Sequence, residues 1–161
     1  CLIDEIPERV KKLQNDSKKL KKDMENLVMQ IALGKVNQFI DGAIKVNDTK
    51  IVVDAVDGLE GSAIRQLADE IKGKIGKGVV VLGSRVEERI LFVAVVTKDL
   101  TKLGINAGDI IKIPATITSG GGGGRSDMAQ AGGKDVTKLD EALKQTKTYV
   151  KNLLTSNNSR R

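Results

Sequence analysis

Apolar side chains recur along residues 1–33 at alternating intervals of three and four: Ile3, Ile6, Val10, Leu13, Leu20, Met24, Leu27 and Ile31, with Ser17 as the single polar rung. Such an a/d ladder predicts one long amphipathic helix. The positions between are mostly charged, among them Arg9, Lys11, Lys12, Lys18, Lys19, Lys21, Lys22, Asp23 and Glu25. A stripe this narrow suits a coiled-coil seam better than a helix resting on a broad core. The helix would extend roughly 40–45 Å, longer than a small domain is wide. Two covers for the seam compete: a second copy of the chain meeting it through Ile6, Val10, Leu13, Leu20, Met24, Leu27 and Ile31, or a fold-back within one chain.

From residue 44 the period shortens to that of strands. Ile44–Val46 and Lys50–Val56 flank a turn at Asn47-Asp48-Thr49, and Asp57-Gly58 ends the second run. Ile64, Leu67, Ala68, Ile71 and Ile75 then mark a helix face that stops at the glycines 73, 76 and 78. Val79–Leu82 and Ile90–Val96 read as buried strands joined by a charged hairpin at residues 84–88. Strand, helix and two further strands predict an α+β domain, a mixed sheet with helices packed on one face. Residues 107–118 fit two readings. Ile111, Ile113, Ala115 and Ile117 alternate as in a strand, and Pro114 opposes a helix interior, yet Ala107-Gly108-Asp109 could open a helix. A last helix is predicted from a Thr-x-x-Asp capping box at Thr137–Asp140, with Leu139, Leu143, Thr146, Val150 and Leu153 inward. The expected organisation is a helical dimerisation segment over residues 1–40 and a globular domain over residues 41–161.

Composition removes whole classes of chemistry. The 161 residues contain no histidine and one cysteine, which excludes imidazole-based nucleophile systems and a structural zinc site of Cys and His ligands. A lone Cys1 fits a reducing, cytoplasmic setting. Aromatic residues make up 2% of the chain, too few for modules that read single strands by stacking bases. No apolar run is long enough to span a membrane. A chain that opens on Cys1 reads as part of a longer protein.

The net charge of +6 is unevenly placed. Residues 1–40 carry 8 basic and 6 acidic side chains and residues 41–119 carry 11 of each, while residues 120–161 carry 8 and 4. The excess therefore gathers at and after Gly120–Gly124, where a polyanionic ligand is the natural partner. Five consecutive glycines are entropically costly inside a domain. They serve either as a solvated tether or as a backbone nest whose N–H groups converge on a phosphate. Arg125 adds a bidentate phosphate donor directly after them. The motifs G-x-G-x-x-G and G-x-x-x-x-G-K-[ST] are both absent, so the expectation is phosphate contact without nucleotide hydrolysis. Gly121, Gly122, Gly123, Gly124 and Arg125 are the expected points of approach. Gln130 and Lys134 are candidate polar contacts that could equally order the loop or sit in solvent. Lys144, Lys147 and Lys151 line one side of the last helix, as further contacts or a solvated face. Gly122→Val is expected to block approach while sparing the fold.

The run Gly120–Gly133, GGGGGRSDMAQAGG, resembles the signature of the DHH-associated domain that ends bacterial-type alanyl-tRNA synthetases. The resemblance extends to Val79–Ser84, Val96–Leu100 and Gly133–Asp135, covers roughly residues 44–154 in the family's order, and includes the preceding long helix. It implies a non-catalytic domain, called C-Ala, that contacts the elbow of alanine-specific tRNA, supports a homodimer and links the aminoacylation and editing domains of the same chain. No cofactor is implied here; the parent ligase would use ATP, Mg and zinc in its upstream domains. The family's helix after Val96–Leu100 implies that residues 107–118 are helical. The same domain is similar to the accessory domain of DHH phosphoesterases and single-strand nucleases, whose loop reads Gly-Gly-Gly-His. Arg125 stands where that histidine would be, and no Asp-His-His motif occurs. A single-stranded nucleic-acid-binding accessory domain is the alternative reading.

Overall fold

In the computed structural model, which describes residues 5–159, the ladder forms one helix, α1 (Ile6–Gly34), with Pro7 in its first turn. Cys1 and the Ile3 rung lie outside the described residues. A short helix α2 (Val36–Asp41) follows. Six strands then make one sheet: β1 (Ile44–Val46), β2 (Thr49–Asp57), β3 (Gly78–Val86), β4 (Arg89–Val96), β5 (Gly121–Gly124) and β6 (Met128–Gly133), in the order β1-β2-β3-β4-β6-β5. The β2–β3 pair is parallel and spanned by helix α3 (Gly61–Ile75); every other pair is antiparallel. The architecture is the α+β mixed sheet that the pattern predicts.

Helices cover both faces of this sheet, not one. Val80, Leu82, Val93 and Val95 pack with Ile64, Leu67 and Ile71 of α3 and with Met29, Ala32 and Val36 from the end of α1 and the start of α2. Val79, Val81, Phe92 and Ala94 pack on the other side with helices α5 (Ala107–Ile117) and α6 (Leu139–Asn158). The unbroken apolar run Val79–Leu82 has this cause, because a strand buried on both faces has no polar side to alternate.

Residues 107–118 are helical up to Ile117, with Pro114 inside α5. Proline removes one backbone bond and costs about 3 kcal/mol or more in a helix interior. Ile110 and Ile111 are both fully enclosed, and burial of each contributes about 1.5–3 kcal/mol. Packing therefore outweighs the lost bond. Asn106 caps the helix, its Oδ1 accepting from the Gly108 N–H at 2.8 Å. Another correction concerns α6. Its entry is capped by Asp135, not by a box at Thr137: Asp135 Oδ1 accepts from the Thr137 N–H and hydroxyl, and a single 3-10 turn over Val136–Lys138 leads into the helix.

Candidate nucleic-acid interface

The glycine run is an edge strand, so the expected loop and nest are both replaced by extended backbone. Gly121, Gly122, Gly123 and Gly124 pair with Gly132, Ala131, Gln130 and Ala129. None of the five glycines has a positive φ, so backbone conformation does not explain them. Space explains some of them. A Cβ on Gly120, Gly122 or Gly124 would fall inside 3.0 Å of β6 backbone, at Gly132 O, Gln130 O and Ala129 Cα respectively. These glycines let β5 lie unusually close to β6. A Cβ on Gly121 or Gly123 would meet nothing within 4 Å, so the fold makes no demand for glycine there.

Those two glycines share a face with their partners Gly132 and Gln130, and with Met128, which packs toward α3. The far end of this face, over β5 and β6, is bare backbone on the open side. Gln130 is half-buried, and its Nε2 is enclosed without a hydrogen-bond partner among the described residues. An enclosed amide donor with no acceptor is unusual in a native fold. The β5–β6 turn is held firmly: Arg125 N–H donates to Met128 C=O at 2.9 Å, Ala107 N–H to Ser126 C=O at 2.9 Å and Val96 N–H to Asp127 C=O at 2.9 Å. Arg125 extends from this turn with its side chain 81% exposed and its Nε 3.4 Å from Asp127 Oδ1. That exposed pair is weak and leaves the guanidinium available.

The DHHA1 domain family matches residues 48–152. The crystal structure of the C-Ala domain from Aquifex aeolicus alanyl-tRNA synthetase is 35% identical, with a TM-score of 0.60 over 66% of this chain and 95% of that one. The chain belongs to the DHHA1 family, as a C-Ala domain. The resemblance carried by Gly120–Gly133 is thereby borne out. Alanine–tRNA ligases of Natranaerobius thermophilus and Acetivibrio thermocellus are 42% and 41% identical over 94% and 91% of the chain. The chain spans 17% of the length of each of these curated relatives. A solved DHH-domain structure, from a member of a family of ribosomal proteins, shares the fold at 16% identity, with a TM-score of 0.52 over 76% of this chain and 30% of that one.

Within this C-Ala domain the remaining candidates fall in separate places. Lys134 follows β6 directly, and its backbone N–H donates to Thr118 C=O at 2.8 Å. Lys144, Lys147 and Lys151 ride on α6, which lies over β1, β2 and β3 on the opposite face of the sheet. They are not brought to the glycine strand. Arg89, which no sequence motif singles out, opens β4 and lines one cleft with Lys134. The heptad seam is uncovered: Ile6, Val10, Leu13, Leu20, Met24, Leu27 and Ile31 are each between 46% and 68% exposed. Only the end of α1 meets the domain, through Val28, Met29, Ala32 and Leu33. Among the described residues no fold-back covers the seam. None of the helices among the described residues is long and apolar enough to cross a membrane.

Proposed function

We propose that the chain is the non-catalytic C-terminal domain of an alanine–tRNA ligase. In this reading it binds the elbow of alanine-specific tRNA, ties the upstream aminoacylation and editing domains to that tRNA, and supports a homodimer in the cytoplasm. ATP, Mg and zinc belong to the upstream domains. One observation carries the nucleic-acid reading: Gly121 and Gly123 lack side chains that the fold would accommodate. Bare, exposed backbone beside Arg125 admits a sugar–phosphate chain at close range. Recognition then rests on the folded outline of the RNA, since the chain has little aromatic surface for stacking. Phe92 is fully buried, and Phe39 and Tyr149 are half-buried, each packed against one of the two cores.

The dimer reading is supported by the exposed seam, whose apolar residues gain cover from a second α1. The test of the nucleic-acid reading is competition between folded alanine-specific tRNA and single-stranded DNA of equal length. Tighter binding of the tRNA is expected. Equal or tighter binding of the DNA would favour the single-strand accessory domain in its place.

A further inference from the structure

At the end of the sheet where β4 begins and β6 finishes, a cleft of ≈ 500 Å³ opens between Arg89 and Lys134. Four glycines, Gly120, Gly121, Gly132 and Gly133, are among its other lining residues. Both cations are exposed, and neither takes part in an ion pair among the described residues. Strand alternation puts Arg89 on the face that carries Leu91 and, across the pairs, Gly132 and Gly121. A Cβ on Gly132 would come no nearer than 3.9 Å to any atom, and one on Gly121 would meet nothing. At Gly121 and Gly132 the lining is therefore bare for reasons other than packing, whereas Thr118 and the Gly132 carbonyl leave no room for a Cβ at Gly133 and Gly120. Glu87 and Glu88 occupy the adjoining β3–β4 turn but do not line the cleft.

Two unpaired cations lining one cleft beside bare backbone form a receptor for an oxyanion. The arginine supplies a planar fork and the lysine a compact charge. We infer that Arg89 and Lys134 form a subsite for one RNA backbone phosphate, distinct from the one nearest Arg125. This inference rests on the tRNA reading above. Arg125 lies at the opposite end of β5: Lys134 is six residues along β6 from Met128, the partner of Arg125, or about 20 Å. The two ends therefore engage different phosphates of one RNA, with the glycine strand between them.

The test is titration of the chain with folded tRNA at several salt concentrations, for the wild type, Arg89→Gln, Lys134→Gln and the double variant. Removing either cation should lower the magnitude of the log affinity–log salt slope by about one, and removing both by about two. Lys102→Gln, at the other end of the sheet on α4 (Lys98–Lys102), should leave the slope as in the wild type. Unchanged slopes in the Arg89 and Lys134 variants, with wild-type tRNA binding intact, would overturn the subsite. Weakened binding at unchanged slope would overturn it too, since the residues would then act on shape. An equal fall in slope for Lys102→Gln would show diffuse attraction and no subsite. Failure of the tRNA reading itself looks different: the wild type would show no preference for folded tRNA.

Discussion

Alternate members of the glycine run answer to different demands, and substitution separates them. At Gly122 a side chain would strike Gln130 O and the Ala131 Cα and Cβ, so Gly122→Val must push β5 off β6. The expectation that this variant spares the fold is corrected accordingly. Gly123→Val meets open space and adds a strand-favouring residue to an exposed edge. Thermal unfolding should show a clearly lowered midpoint for Gly122→Val and an unchanged or raised one for Gly123→Val. Equal midpoints would refute the spacing argument. Ser84 offers a second residue-level check. It is fully buried, and its Oγ accepts from the Leu59 N–H at 3.0 Å. Ser84→Ala strands that buried donor, at a cost of about 1–3 kcal/mol in denaturant unfolding. None of this pairing was readable from residue types, because burial partners far apart in the chain leave no local mark.

Elements with a strong period were legible, and those set by close approach were not. The a/d ladder of α1, the faces of α3 and α6 and the runs of β3 and β4 announced themselves through apolar spacing. β5 did not, since four glycines have the weakest strand propensity and no side chain to alternate. The signal lay in its partner: Met128, Gln130 and Gly132 alternate with the more buried Ala129, Ala131 and Gly133, after a polar Arg-Ser-Asp turn. Two-sided burial was likewise written in Val79–Leu82, a run without a polar face. The observed entry to α6 differs from the Thr137 box because Asp135 caps through an Asx-type turn two residues earlier. That cap predicts a pH dependence. The hydroxyl and N–H of Thr137, with Lys138 nearby, hold the Asp135 carboxyl below its ordinary range. A lowered folded pKa means stabilisation that is full above the unfolded value of about 3.9 and lost as pH falls through the folded one. Asp135→Asn should therefore melt below the wild type at neutral pH, with the gap closing under strongly acidic conditions. A gap that persists unchanged there would contradict the charge-based cap.

Across the whole molecule, two surfaces stand apart from the buried cores: the α1 seam at one extreme and the bare β5–β6 face at the other side of α3. The seam should drive association. Sedimentation of the wild type is expected to show a dimer at micromolar concentration, and Leu13→Glu with Leu20→Glu a monomer of unchanged fold, because both side chains are exposed and support no intrachain packing. A wild-type monomer at high micromolar concentration would contradict this. The seam was visible in the sequence, whereas the separation of Lys144, Lys147 and Lys151 from the glycine strand was not. Which face of a sheet a late helix takes depends on the path of the chain. Arg89 carries no sequence signal for the same reason, since β4 and β6 meet only through tertiary pairing. The central claim is that Gly121 and Gly123 are bare so that RNA backbone can approach. Its most direct test is the affinity of Gly123→Val for folded tRNA, measured beside its thermal midpoint. The account predicts a wild-type midpoint or higher with binding weakened by about tenfold or more, equivalent to roughly 1.4 kcal/mol. A well-folded Gly123→Val chain that binds folded tRNA as tightly as the wild type would contradict it.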